Sequence, residues 1–216
     1  MSDILQSFYA TRVKRVLDIA GSVLLLVLTS PILALCAAAI AADDGRPVFF
    51  SHSRVGRDGR LFKVHKFRTM TVGTESAFQG YPPAAAMTRV GRVLRRLSLD
   101  EFPQRMNILR GEMSFVGPRP TLPSQVERYT AQQRGRLSVR PGLTGLAQIR
   151  YRDSAPWSRR ITTDLEYVNA VAFKLDLWIA IRTVPAVLSG EGQMGGTQTE
   201  IDDLGGDTAR SDRASD

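Results

Sequence analysis

The sequence predicts a small membrane-associated α/β domain whose N-terminal helix enters the membrane, bends and returns without crossing it. Three observations carry that expectation. From Ile19 to Ala42 no side chain is charged, a run long enough for the roughly 20 apolar residues that a span requires. Basic residues flank both ends of the run, and Ser30-Pro31 interrupts its middle. Beyond it, short Val- and Phe-rich segments alternate with amphipathic helical patterns.

The flanking charges set the topology. Arg12, Lys14 and Arg15 precede the apolar run, and Arg46, Arg54, Arg57, Arg60, Lys63, Lys66 and Arg68 follow it, against only Asp43, Asp44 and Asp58. Cationic flanks stay on the cytoplasmic side, and here both ends are cationic. Pro31 lacks the amide hydrogen that a helix interior needs, and the Ser30 hydroxyl can satisfy a carbonyl freed by the break. A re-entrant helix over about 16–42, inside an N-terminal segment 1–44, meets both constraints. A kinked spanning helix and a cleaved leader are the competing readings.

The segment 45–189 reads as the folded domain. Pro47 to Arg54 and Leu61 to Met70 form a β-hairpin around the turn VGRDG. Lys66 and Arg68 share strand parity with Phe62 and Val64, so the hairpin presents two cations on one face. Thr71 to Met87 is a Gly- and Pro-containing loop. Arg89 to Leu97 is an amphipathic helix, and a second helix follows the acidic pair Asp100-Glu101, with Pro103 in its first turn, and ends near Gly111. Two more helices are expected at Ala155–Ala170 and Phe173–Leu188, the latter with the mixed pattern of a membrane interface or of core packing. The acidic, Gly-rich stretch 190–216 reads as a disordered tail. Its G-x-G-x-x-G match at Gly190, Gly192 and Gly195 lacks the strand and helix that dinucleotide binding requires.

Composition narrows the chemistry. A net charge of +8 and a pI near 10.2 call for an anionic partner: nucleic acid, phospholipid or a phosphorylated substrate. The single cysteine, Cys36, excludes an internal disulfide. The two histidines, His52 and His65, lack zinc-ligand spacing and a nucleophile turn. Phosphate binding therefore falls to arginines and helix starts.

The segment RRLSLDEFPQ places Asp100 and Glu101 directly after Arg95 and Arg96. Ser98 and Glu101 fit a capping box, and Asp100 is the alternative cap. The same pair suits a metal ligand or a nucleophile, with the arginines holding the carboxylates ionised. In GEMSFVGPRPTLP, prolines on both sides of Arg119 hold a guanidinium ready for bidentate phosphate recognition. VRPGLTG repeats the arrangement with Arg140 before a Pro-Gly turn.

KFRTM (Lys66 to Met70), LSLDE (Leu97 to Glu101), MSFVGPRP (Met113 to Pro120) and VRPGLTG (Val139 to Gly145), in this order behind an apolar helix broken at Ser-Pro, resemble the bacterial sugar transferases. These are monotopic polyprenol-phosphate phosphoglycosyl transferases, and the resemblance runs from about Arg12 to about Leu188. It implies an enzyme that moves a sugar-1-phosphate from a UDP-sugar to polyprenol phosphate and releases UMP. It implies Asp100 as the nucleophile, through a phosphosugar-aspartyl intermediate, and Glu101 as a Mg2+ ligand. Lys66, Arg68, Arg95, Arg119 and Arg140 would bind phosphate and nucleotide. The chain would sit in membrane lipid on the cytoplasmic face of the bacterial inner membrane, with no nucleic acid partner and with a homodimer left open. After the last motif, LAQIRYR departs from the family pattern, so the resemblance does not specify the sugar. A non-catalytic basic membrane scaffold and a nucleic-acid-binding module are the rival classes.

Overall fold

The computed structural model describes residues 8–74, 86–151, 154–188 and 203–204. A π-helical turn, Tyr9–Val13, leads into helix α1, Lys14–Asp44, which continues through Pro31. Strands β1 (Phe49–Val55) and β2 (Leu61–Phe67) pair antiparallel, from Phe49↔Phe67 to Val55↔Leu61. Helix α2 (Arg89–Arg96) precedes a 3-10 segment, Leu99–Gln104, and helix α3, Arg105–Arg110. Strand β3 (Ser114–Val116) pairs parallel with β4 (Gly142–Thr144). Between them lie helix α4, Pro123–Glu127, and a 3-10 segment, Gln133–Ser138. Helices α5 (Leu146–Tyr151), α6 (Trp157–Asn169) and α7 (Phe173–Leu188) complete the body.

Helix α1 is tied to the body at both ends. Near its start, Lys14 Nζ bonds Asp176 Oδ2 at 2.5 Å, and Arg15 donates to the carbonyls of Ile108 and Leu109. One turn on, Asp18 Oδ1 accepts from Ser114 Oγ and from the Phe115 amide, each at 3.0 Å. Near its end, Cys36 and Ile40 pack with Phe67 and Leu94. Asp43 Oδ2 receives the Val90 amide, and Arg68 donates to the carbonyls of Asp44 and Gly45. Between these attachments Val23, Leu24, Val27, Leu28, Ile32 and Leu35 are all exposed. This is an apolar surface of the kind a bilayer covers.

The bend expected at Ser30-Pro31 does not interrupt the helix. The helical hydrogen-bond pattern persists from Lys14 to Asp44. Pro31 leaves without its donor the carbonyl four residues earlier, that of Val27, and Ser30 Oγ donates to that carbonyl at 2.8 Å. The pair is thus one device: the proline opens the ladder and the serine closes the gap.

Local chemistry fixes the remaining elements. Thr88 caps α2, its hydroxyl accepting the Gly91 amide at 2.9 Å. A Cβ on Gly91 would lie 2.0 Å from the Thr69 carbonyl oxygen, so only glycine lets α2 lie against the chain leaving β2. Gly117 plays the same part between β3 and β4, where a Cβ would stand 2.4 Å from the Arg140 oxygen. That parallel pair, read from the sequence only as two turns, is three residues long on each side. Proline and glycine on its flanks mask the strand signal. In α7, Phe173, Leu177, Trp178, Ile181 and Val184 are exposed while Ile179 is buried, which suits an interfacial helix.

The tail departs from the expected disorder at two residues. Asp203 accepts from the Ser158 amide, and Leu204 is buried against the body. The glycine-rich match at Gly190, Gly192 and Gly195 lies outside the described residues.

Candidate active site

The site is assembled where the end of β2 meets the 3-10 segment Leu99–Gln104. Lys66 projects from β2 on the same face as Phe62 and Val64, as strand parity predicts. Its Nζ donates to Glu101 Oε1 at 2.6 Å. Arg119, held in the loop after β3, approaches the same carboxylate oxygen at 3.8 Å. Asp100 is 6% exposed, and its Oδ1 is buried with no hydrogen-bond partner. A buried carboxylate oxygen left bare is costly, and a bound cation or substrate is one way to satisfy it.

The two acids are tuned in opposite directions. Burial pushes Asp100 up, to about 6, with Glu101 adding to the effect and with Lys66 and Arg95 offsetting part of it. The arginines expected to hold Asp100 low are therefore outweighed by desolvation. Burial acts on Glu101 as well, but Lys66, Arg119 and a Gln104 hydrogen bond bring it well below the usual carboxylate range. The more basic member of the dyad is thus Asp100.

The capping box does not form. Ser98 sits in the left-handed region, φ 54°, and its side chain caps no amide of the following turn. Asp100 and Glu101 occupy the first turn of the 3-10 segment, with Pro103 inside it and Gly111 ending α3 at φ 84°. The pair is thus held by burial and ion pairing rather than by capping.

The structure brings together only part of the basic set read from the sequence. Lys66 and Arg119 contact Glu101, and the Arg95 charge acts on Asp100 while its guanidinium donates to Thr69 Oγ1 at 3.1 Å. Arg68 instead closes the end of α1 through the carbonyls of Asp44 and Gly45. Arg140 donates to the Gly111 carbonyl at 2.9 Å, and its charged neighbours are Arg15, Arg57 and Asp18. Ser30 and Pro31 lie in the exposed middle of α1.

Sequence reasoning missed three neighbours of the dyad. His52 is pushed down to about 3, by burial first and then by Arg54, Lys66 and Arg119, so it is neutral at pH 7. Arg54 Nε donates to it at 3.1 Å. Both belong to the β1 face that carries Phe50, which pairs with Lys66, so parity was the available signal. Arg105 stacks 3.9 Å over the Phe102 ring, and burial lowers it to about 10 even with Glu101 beside it. Its Nε is buried without a partner, and only its place four residues after Glu101 hinted at a shared site.

Two carboxylates among several cations suit a divalent metal and a phosphate substrate together. Among the described residues no group of three or more His, Cys, Asp and Glu gathers. Mg2+ needs only one or two carboxylates when substrate phosphates complete its shell. The bare Asp100 Oδ1 beside Glu101 fits that hard-oxygen donor set.

A long exposed apolar helix and a carboxylate dyad set among cations suit an enzyme of phosphoryl chemistry that associates with a membrane. The comparisons agree and are more specific. A family model described as "Bacterial sugar transferase" matches residues 9–190. The "Uncharacterized sugar transferase EpsL" of Bacillus subtilis is 41% identical, over 83% of this chain and 89% of its own length. The "Exopolysaccharide production protein ExoY" of Sinorhizobium fredii is 39% identical, over 83% and 87%. The "UDP-glucose:undecaprenyl-phosphate glucose-1-phosphate transferase" of Caulobacter vibrioides is 39% identical, over 82% and 70%. The chain belongs to the bacterial sugar transferase family, and it is a phosphoglycosyl transferase of the polyprenol-phosphate type.

Proposed function

We propose that this enzyme transfers a sugar-1-phosphate from a UDP-sugar to polyprenol phosphate, with release of UMP, through a covalent intermediate on Asp100. The observation that carries the reading is the buried, unpartnered Asp100 Oδ1 beside a Glu101 already paired with Lys66. The Asp100 carboxylate attacks the β-phosphorus of the UDP-sugar, and the bond to the bridging oxygen breaks with its electron pair leaving on UMP. The intermediate is a phosphosugar-aspartyl anhydride. A phosphate oxygen of the polyprenol acceptor then attacks the same phosphorus, and the bond to Asp100 breaks to restore the carboxylate. One hard displacement becomes two easier ones.

The surrounding residues have separable tasks. Arg119, near Glu101 and 44% exposed along its side chain, can reach a bound diphosphate and stabilise charge on the leaving UMP. Lys66 holds Glu101 ionised and oriented. Arg95 and Arg105 add positive potential that concentrates an anionic substrate. Glu101 would hold Mg2+ beside the Asp100 nucleophile, and the ion when bound neutralises diphosphate charge and makes the phosphorus more electrophilic. A panel of UDP-sugars tested for UMP release in detergent checks the activity and names the sugar. Absence of release from every member, with Mg2+ and acceptor supplied, overturns the reading.

Glu101→Gln isolates the metal role. The amide keeps the shape but is a poor ligand for a hard cation. The expected result is a fall in turnover of about 100-fold, with the Mg2+ concentration for half-maximal rate shifted upward. Unchanged turnover at limiting Mg2+ removes Glu101 from the metal site.

Helix α1 is proposed to be re-entrant, with the active site on the cytoplasmic face of the inner membrane. Support comes from its two attachments: Lys14, Arg15 and Asp18 at one end and Cys36, Ile40 and Asp44 at the other reach the same polar body. A helix that crossed the bilayer would carry those ends to opposite sides. Tags placed before residue 8 and after residue 188 are expected to label from the cytoplasmic side alone. Labelling of the N-terminal tag only from outside removes the re-entrant topology.

A further inference from the structure

Beyond the transfer reaction, we propose that Asp203 and Leu204 form a docking segment that seats on the body and braces the loop carrying Arg119. Both residues lie past the family match, which ends at residue 190. Leu204 is 7% exposed and fills a groove made by Val55, Val126, Tyr129, Trp157 and Ile161. Asp203 Oδ1 accepts the Ser158 amide at 2.9 Å and Oδ2 accepts the Ser158 hydroxyl, so this carboxylate caps the start of the 13-residue helix α6. Arg128 Nη1 closes the contact by donating to the Leu204 carbonyl at 3.1 Å. An apolar plug, a carboxylate cap and a gripped carbonyl together make a specific seat for a two-residue segment.

The walls of that seat are the supports of Arg119. The Val55 amide donates to the Thr121 carbonyl at 2.9 Å, two residues beyond Arg119. Tyr129 Oη accepts from Arg136 Nη1 at 2.7 Å, and Arg136 Nη2 donates to the Arg119 carbonyl at 3.0 Å. Trp157 lines the same cleft as Arg119 and Arg136. Leu204 therefore packs against Val55, which bonds the arginine loop directly, against Tyr129, which reaches it through Arg136, and against Trp157, which shares a cleft with Arg119. Seating it restricts their motion and holds the guanidinium at Glu101, and a small loss of such positioning is felt strongly in turnover.

The brace rests on the proposed reaction only for its effect on rate, while docking is read without substrate. The sequence has two tryptophans, so Trp178→Phe leaves Trp157 as the sole reporter in the full-length chain. In that background Leu204→Asp is expected to red-shift Trp157 emission and to lower kcat/KM for UMP release by about five-fold. Asp203→Ala is expected to act in the same direction more weakly. A peptide of residues 198–209 added to the Leu204→Asp chain should reverse both changes, a rescue that general unfolding would not allow. Unchanged emission in both variants overturns the docking. Shifted emission with kcat/KM unchanged or raised overturns the brace. A parent chain that releases no UMP from any UDP-sugar overturns the reaction while leaving the emission result standing.

Discussion

Replacing Asp100 by Asn is expected to lower UMP release by about three orders of magnitude or more while leaving the fold intact. Asn has the shape of Asp but cannot serve as this nucleophile. The substitution breaks no hydrogen bond at Oδ1, because that oxygen has none. It also removes a charge that burial already disfavours, so the thermal midpoint should hold or rise. That combination, a dead enzyme that is no less stable, separates a catalytic acid from a structural one. In the parent chain the covalent route predicts ping-pong kinetics and UMP release without acceptor. It also predicts a phosphosugar mass on the tryptic peptide Leu97–Arg105, absent from the Asn variant. Appreciable turnover in the variant, or kinetics that require both substrates bound together, removes Asp100 from the nucleophile's place.

The dyad was visible in sequence, but its electrostatics were not. Adjacent acids after two arginines raise the question of function, and the ordered motifs around them carry the family resemblance. The sign of the Asp100 shift depended on burial, a tertiary quantity that no local spacing encodes. With Asp100 at 6% exposure, desolvation and the neighbouring Glu101 outweigh Lys66 and Arg95. The same reason explains Arg68 and Arg140. Each sits in a motif, yet one closes the end of α1 and the other bonds the Gly111 carbonyl. Which cation reaches the dyad is decided by how the elements pack.

The fold was legible where periodicity was long. The apolar helix, the hairpin and the helices at residues 157–169 and 173–188 follow from patterns of seven residues or more. The β3–β4 pair and the 3-10 segment holding the dyad were not, because three to six residues between prolines and glycines carry no period. At Ser30-Pro31 the hydroxyl bond to the carbonyl that the proline leaves free was legible, since the donor that Pro31 lacks and the carbonyl that Ser30 can reach are local facts, but the helix runs on through the pair. Asp203 and Leu204 were lost to composition: a Gly-rich acidic tail averages to disorder, and the average hides one buried leucine.

The second large effect concerns Arg136, among the described residues the largest side chain with almost no exposure. Its guanidinium bonds the Asp164 carboxylate, Tyr129 Oη and the Arg119 carbonyl. Asp164 is itself 3% exposed, so Arg136→Met strands a carboxylate away from water. Breaking one side of a buried pair costs about 3–5 kcal/mol, which for a chain of this size lowers the thermal midpoint by about 10 °C. Asp164→Leu alone should cost a similar amount, because it strands the guanidinium. The double variant Arg136→Met/Asp164→Leu should recover most of the midpoint, since two apolar groups of matching volume replace a pair whose desolvation offset much of its attraction. Activity should not follow stability. The double variant still leaves the Arg119 carbonyl without the Arg136 donor, so kcat/KM for UMP release is expected to stay about ten-fold low even with the fold restored. Thermal melting in detergent beside steady-state kinetics reads both. Full recovery of kcat/KM in the double variant would show that Arg136 stabilises the fold without positioning Arg119.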